Sequence, residues 1–183
     1  PPRLRRSSID FSGMEAQCGD ERPRPFSCDT DPGGFAPVQM PSHMTWTSPD
    51  THRLLRESIH RSPLYAGVIT GVGARYCPSL EDKVMRFAQK DRHQVLLEPE
   101  GRDTEEIYAK GLGNCLPLDV QAALVASVPG LEQAEIMRPA YAVEYDFVQP
   151  TQLAPTLETK AVSRLFLAGQ VNGTSGYEEA AAQ

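Results

Sequence analysis

Proline and glycine interrupt this chain so often that no long helix or strand fits between them: 16 prolines and 14 glycines are spread through 183 residues. Proline removes a backbone donor and fixes φ, and glycine loosens the chain, so short elements joined by many turns are dictated from the outset. Residues 1–42 are the extreme case. "RPRPFSCDTDPGGFAPVQMPS" defeats both helical and strand periods and reads as loop, with one short extended piece over residues 8–11. A second extended piece is expected over residues 44–47. "TSPDTHRLLRESIHRSP" then places Ser48 as N-cap, Pro49 at the first helical position, and Leu54, Leu55 and Ile59 on one stripe, with the helix ending near Arg61. "LYAGVITG" has a strand-like start and leads into a loop carrying Gly71 and Gly73. Ser79 opens a further helix, with Leu80, Val84, Phe87 and Ala88 at helical spacing and Glu81 and Asp82 in the first turn, where the helix dipole favours them. "HQVLLEPEG" and "EIYAKG" read as strands, "LDVQAALVASVPG" as a helix stopped by Pro129 and Gly130, and "AEIMRP" and "YAVEYDF" as strands.

Strands interleaved with helices give an α/β (α+β) class, and the many short extended pieces favour a mixed sheet over a purely parallel one. A hydrophobic fraction of 40% against 23% charged residues is enough for a packed core. The net charge of -6 argues against a surface built all over to hold a polyanion. The basic cluster Arg3, Arg5 and Arg6 in "PPRLRR" reads as a solvated tail, or as a local nucleic-acid contact. Cys18, Cys28, Cys77 and Cys115 contain no C-x-x-C pair, so neither a zinc knuckle nor a redox dithiol is signalled. His43, His52, His60 and His93 show no metal-ligand spacing, and His52 with Arg56 reads as an exposed helix face. No metal is expected. No apolar run reaches the roughly 18 to 20 residues of a membrane span, and no signal pattern opens the chain.

The composition shifts near residues 150–155. Beyond them "LFLAGQVNGTSGYEEAAAQ" has the logic of a cofactor-binding unit: an apolar strand over residues 165–168, a glycine turn that lets backbone approach a ligand, and a helix N-terminus with free N–H groups. The closing helix, over residues 178–182, is far below the roughly 12 to 15 residues that an isolated helix needs in water. The chain is therefore expected to be a piece of a longer enzyme.

"GVGARYCPSLEDKVMRF" and "LFLAGQVNGTSGYEEAAAQ", with "HQVLLEPEG", "LPLDVQ", "RPAYAVEYD" and "PTLETK" in the same order, carry a resemblance to a known family. The chain resembles the FAD-dependent tRNA uridine 5-carboxymethylaminomethyl modification enzymes, also called the glucose-inhibited division protein A family. The likeness weakens only in the first 42 residues. It implies a Rossmann-type FAD/NAD(P)-binding flavoprotein. Residues 1–152 would be its second α/β insertion domain, with residues 1–42 largely loop. Residues 153–183 would be the returning strand, turn and incomplete helix of the FAD-binding domain. It also implies an activity. With a GTPase partner, the parent adds a carboxymethylaminomethyl group to C5 of the wobble uridine of certain tRNAs, using FAD, NADH, methylene-tetrahydrofolate as one-carbon donor, and glycine. A homodimer in the cytoplasm, or in the mitochondrion of a eukaryote, is implied for the parent, and the fragment alone is expected to be inactive.

The same resemblance assigns residues to ligands. Gly73, Ala74, Arg75, Tyr76, Cys77, Pro78, Ser79, Leu80, Glu81, Asp82, Lys83, Val84, Met85, Arg86 and Phe87 match the NADH stretch, with Ala74 replacing a more usual proline. Physically, a glycine-led loop feeding a capped helix can receive phosphate or ribose, with Arg75 and Lys83 as cations; the alternative is a packed loop whose arginine pairs with a carboxylate. Cys77, near Arg75 and a helix start that favour its thiolate, is a candidate nucleophile toward uridine C6, or a small residue filling a loop. Gly169, Gln170, Asn172, Gly173 and Thr174 match the flavin-contacting turn, whose amides, hydroxyl and N–H groups suit the isoalloxazine edge or the ribityl hydroxyls. Glu178 and Glu179 suit the helix N-terminus. Glu144 and Asp146 share a strand face, able to hold an ammonium, to act as acid and base, or simply to face water. Trp46 and Ser48 stand where the family suggests His and Asn. Gly113, Asn114 and Cys115 stand where small hydroxyl residues are commoner, and no role is carried to them. Two other readings remain: an insertion module that docks tRNA or a partner subunit without catalysis, and a generic flavin-dependent reductase, disfavoured by the lack of paired cysteines.

Overall fold

A computed structural model describes residues 1–70, 79–174 and 176–182. Six short strands form one sheet: β1 (Arg3–Arg5), β2 (Glu15–Gln17), β3 (Ser42–Trp46), β4 (Gln94–Pro99), β5 (Glu106–Lys110) and β6 (Ile136–Arg138), in the order β2-β3-β4-β5-β1-β6. The helices are α1 (Pro49–Ser58), α2 (Leu80–Arg86), α3 (Leu118–Ala126) and α4 (Tyr177–Ala182). The α+β class expected from the sequence is the one found. The sheet is antiparallel at every pairing, where interleaved helices had suggested a mixture. The physical reason is local for one pair: β4 and β5 are joined by a connection too short for a crossover, which only an antiparallel pair permits. The other pairs join strands far apart in sequence, and no local pattern sets their direction.

Period-two alternation positions the core. Leu4, Val95, Leu97, Ile107 and Ala109 point to one face and are buried there against Leu55 of α1, Leu80 and Val84 of α2, and Leu124 and Val125 of α3. Each such aliphatic side chain contributes about 1.5–3 kcal/mol by leaving water. The opposite face carries a charged ladder: Arg3 meets Glu100 at 2.8 Å and lies over the Tyr108 ring, Lys110 meets Glu98 at 3.3 Å, and Arg138 meets Glu106 at 3.0 Å.

That arrangement corrects the reading of "PPRLRR" as a tail. Leu4 is fully buried in a strand flanked on both sides, while the arginine stems run over the sheet's open face and Arg5 meets Glu135 at 2.6 Å. Three charges around one leucine hid a core position. The extended piece expected over residues 8–11 is displaced: a 3-10 turn (Arg6–Ser8) follows β1 directly. The strand expected at the start of "LYAGVITG" is a turn over residues 63–67, with Tyr65 and Ala66 donating to the Ser62 carbonyl, and Gly71 lies outside the described residues.

The predicted caps are present. Ser48 Oγ accepts from the Thr51 N–H at 3.1 Å and Thr51 Oγ1 accepts from the Ser48 N–H at 3.1 Å, with Pro49 at the first position. A 3-10 turn (Ile59–Arg61) carries the chain to the expected end. Ser79 caps α2 by accepting from the Asp82 N–H at 3.2 Å. α2 stops at Arg86, so Phe87 and Ala88, expected on its buried stripe, are exposed.

Candidate functional site

Residues Gly73, Ala74, Arg75, Tyr76, Cys77 and Pro78 of the candidate NADH stretch lie outside the described residues. Residues 79–87 form α2 and its edges. The α2 start is held from below: the Leu80 N–H donates to the Gly113 carbonyl at 2.6 Å, and Glu81 is fully buried. Glu81 Oε1 accepts from the Cys115 N–H at 2.9 Å, from the Ser62 hydroxyl at 3.3 Å and from the Cys115 thiol at 3.3 Å. Glu81 Oε2 is buried without a partner among the described residues. This carboxylate ties α2, the turn after α1 and the 112–116 loop together, and its side chain faces the interior. A first-turn acid reads as a dipole partner in sequence, and nothing local signals its burial. Asp82 faces outward, accepting from the Tyr65 hydroxyl at 3.4 Å and pairing with Arg86 at 3.5 Å. Burial pushes the Cys115 thiol pKa up, so it is a poor thiolate source there.

The strand expected over residues 165–168 is reduced to a single bridge from Phe166 to Glu158. With no neighbouring strand beside it among the described residues, it has no ladder to join. The turn that follows is well formed. Gly169 has φ 94° and ψ -155°, a 3-10 turn (Gln170–Asn172) follows, and Gly173 is left-handed at φ 95°. The N–H groups of Asn172 and Thr174 both donate to the Gly169 carbonyl, at 3.1 and 3.0 Å. Asn172 is buried; its Nδ2 donates to the Leu167 carbonyl at 2.6 Å, and its Oδ1 has no partner among the described residues. A Cβ placed on Gly169 would meet nothing within 4 Å. An orphaned buried acceptor beside an open glycine fits a donor-bearing ligand, and the isoalloxazine edge and ribityl hydroxyls are of that kind.

"YAVEYDF" forms no strand and joins no ladder, which corrects the strand expected there: no strand lies alongside it among the described residues. The Thr70 N–H donates to Glu144 Oε1 at 3.2 Å. At the other end of this segment the Val148 N–H donates to the Val171 carbonyl at 2.7 Å, and the Phe147 ring lies 3.4 Å from where a Cβ on Gly173 would stand. The common face expected for Glu144 and Asp146 presupposed that strand, and nothing in the sequence signalled Thr70 as a partner of Glu144.

His52 is not on an exposed helix face. It is buried with His93, the rings 5.1 Å apart, and both gather on Thr47: His52 Nε2 lies 2.8 Å from Thr47 Oγ1, which also accepts from the His93 N–H at 2.8 Å. Burial, before any charge, pushes both imidazole pKa values down. His43 lies instead against Phe11. Among the described residues no group of three or more His, Cys, Asp or Glu could hold a metal ion, and no helix is long and apolar enough to cross a membrane. Two surface concavities among the described residues, one in the 21–39 loop and one beside Arg3 and Tyr108, touch neither the 169–174 turn nor α2.

Comparison with known proteins agrees along the whole chain. The model of the family described as glucose inhibited division protein A matches residues 1–183. A Syntrophobacter fumaroxidans protein named tRNA uridine 5-carboxymethylaminomethyl modification enzyme MnmG is 63% identical over 183 residues, covering 100% of this chain and 28% of that protein. A Bacillus subtilis protein of the same name is 55% identical, with 29% of its length covered. The crystal structure of Aquifex aeolicus GidA superposes with a TM-score of 0.86 at 52% identity, over 100% of this chain and 31% of that one. The chain thus spans under a third of the length of the relatives it matches.

Proposed function

Because this chain belongs to the glucose-inhibited division protein A family, we propose that it is a segment of an FAD- and NADH-dependent enzyme acting on tRNA. With a GTPase partner, the parent adds a carboxymethylaminomethyl group to C5 of the wobble uridine. Methylene-tetrahydrofolate is the one-carbon donor, and the parent is a homodimer of the cytoplasm, or of the mitochondrion in a eukaryote. The observation that carries this reading is the match of the whole chain at 63% identity to a protein named for that modification.

The geometry supports a division of labour within the chain. Residues 1–152 act as an insertion domain and residues 153–183 as the returning edge of the FAD-binding domain. In support, every member of the buried apolar cluster lies between Leu4 and Leu131. The 169–174 turn holds the flavin: Asn172 Oδ1 accepts from it, and Gly169 and Gly173 let it approach the backbone. When bound, FAD supplies the electron chemistry, with NADH as reductant. The stretch 73–87 receives NADH, α2 being pinned in place by Glu81. Cys77 is the nucleophile: its thiolate forms a bond to uridine C6, the C5–C6 π pair moves to C5 and forms the bond to the electrophilic one-carbon unit, and loss of the C5 proton then returns the C5–H pair to the ring, restoring the C5–C6 double bond and expelling the thiolate.

The docking-module alternative is less supported, because three of the cations available to it, Arg3, Arg5 and Arg61, are engaged. Arg3 meets Glu100, Arg5 meets Glu135, and Arg61 makes a two-pronged pair with Asp119 at 2.8 and 3.0 Å. Complementation tests the proposal. In cells lacking the modification, the full-length gene that carries this segment should restore modified wobble uridine and the 183-residue chain alone should not. A purified full-length protein without bound FAD, or one unable to restore the nucleoside, overturns it.

A further inference from the structure

Arg56, Lys90 and Arg92 are exposed, and none has a carboxylate within ion-pair distance among the described residues. Acids are not scarce, at 24 against 18 bases, and on the same helix as Arg56 the neighbouring Arg53 is matched by both Asp50 and Glu57. Aromatic rings hold two of the three instead. The Arg92 guanidinium lies 4.3 Å from the centre of the Trp46 ring, and Lys90 Nζ lies 5.5 Å from that of Phe87, in a turn closed by the Lys90 N–H donating to the Phe87 carbonyl at 2.9 Å. Trp46 ends β3 opposite Gln94, so the 87–93 turn leads into β4 beside it. Arg56 stands one turn beyond His52 on α1, and the His52 ring lies 5.1 Å from that of His93. The charges of Arg56 and Asp91 reach His52, and those of Lys83 and Lys90 reach His93, so these bases gather around one buried histidine pair. Asp91 is the single acid of residues 87–93 and stands between two bases.

We infer that Arg56, Lys90 and Arg92 form a docking site for the sugar-phosphate backbone of an RNA strand, which for the parent enzyme is its tRNA. The inference rests on the tRNA reading proposed above. A phosphate can take these cations without displacing a carboxylate, whereas Arg3, Arg5 and Arg61 would each have to give one up. A cation resting on a ring has already surrendered part of its side-chain freedom, so less is lost when a phosphate fixes it. On a chain of net charge -6 such a patch also has a directing effect: a polyanion is repelled by the acidic surface and drawn to the few places where bases stand unmatched. Contacts of this kind set the position and orientation of the strand and carry no base specificity.

The test uses the full-length holoenzyme and an unmodified tRNA transcript, with the dissociation constant measured at several salt concentrations. Arg56→Gln combined with Lys90→Gln and Arg92→Gln should weaken binding at least about tenfold at low salt and reduce the slope of log affinity against log salt by about 2 to 3. Arg5→Gln combined with Lys110→Gln and Arg138→Gln removes the same charge from positions that are paired, and should leave the dissociation constant within about twofold. The FAD content of both variants should match that of the unsubstituted protein. Acetylation of the unsubstituted holoenzyme needs no variant to fold: Lys90 should react when the protein is free and lose that reactivity when tRNA is bound. Equal weakening by the two triple variants, a loss with an unchanged salt slope, or a Lys90 that tRNA does not protect overturns the docking site. So does a Lys90 that fails to react in the free holoenzyme, since the rest of the parent then covers it. An unsubstituted holoenzyme that binds no tRNA at any salt concentration overturns the tRNA reading itself, and the docking site with it.

Discussion

Glu81 and the pair His52–His93 show how much one side chain decides once it is inside. Replacing Glu81 by Ala strands the Cys115 N–H and the Ser62 hydroxyl without their acceptor. Leaving buried donors unpaired costs about 2–4 kcal/mol for two groups, whereas Glu81→Gln keeps an acceptor and should cost less than about 1.5 kcal/mol. Urea unfolding of the two variants measures the difference, and equal losses would show that the carboxylate does not hold the loops. The histidines give a pH dependence of definite sign. Both pKa values are depressed in the fold from the ordinary 6.5, so in acid the unfolded chain takes up protons that the native chain does not. Their contribution to stability is complete above about pH 6.5 and is lost as pH falls below it through the folded values. The urea midpoint should therefore drop between about pH 7 and pH 5, and His93→Gln should flatten that drop.

At the scale of elements, the caps are worth more than their own helices. Ser48 Oγ accepts from Thr51 and also donates to the Ser127 carbonyl at 3.0 Å, so the N-terminus of α1 is stapled to the C-terminal end of α3. Ser48→Ala should destabilise the chain by about 1–2 kcal/mol, toward the top of the range for a lost cap, because the Ser127 carbonyl loses a donor too. Thermal unfolding followed by circular dichroism reads this, and a loss below about 0.5 kcal/mol would show that Thr51 alone carries the junction. The short helices contrast with the antiparallel sheet. Caps, proline at the first position and apolar spacing are local, and α1 and α2 begin where such signals stand, whereas α3 starts after Pro117 without a side-chain cap. Strand partners are not local, and β1, hidden among arginines, takes an inner place in the sheet that its own sequence does not announce.

Over the whole molecule, the two halves differ in how their apolar residues are spent. Residues up to 131 close a core, while Tyr141, Val143, Tyr145 and Phe147 stay 66, 50, 38 and 42% exposed, and Phe166 58%. A run of that kind binds hydrophobic dye and favours association. The isolated chain should enhance the fluorescence of such a dye, and Tyr141→Ser with Val143→Ser should lessen it; an unchanged signal would place the sticky surface elsewhere. What the sequence determined by itself was whatever depends on neighbours within about one turn: Ser48 and Ser79 as caps, the ends of α1, the glycine turn at 169–173, and, through ordered motifs along the whole chain, the family. The tertiary structure decided everything that requires a partner distant in sequence: the burial of Leu4, Glu81 and His52, the antiparallel pairing, and the placing of Glu144 on Thr70. The physical reason is that capping and turn energies are set by bonds between adjacent residues. Burial of a charge or a strand is set by surfaces that come together only when the chain has folded.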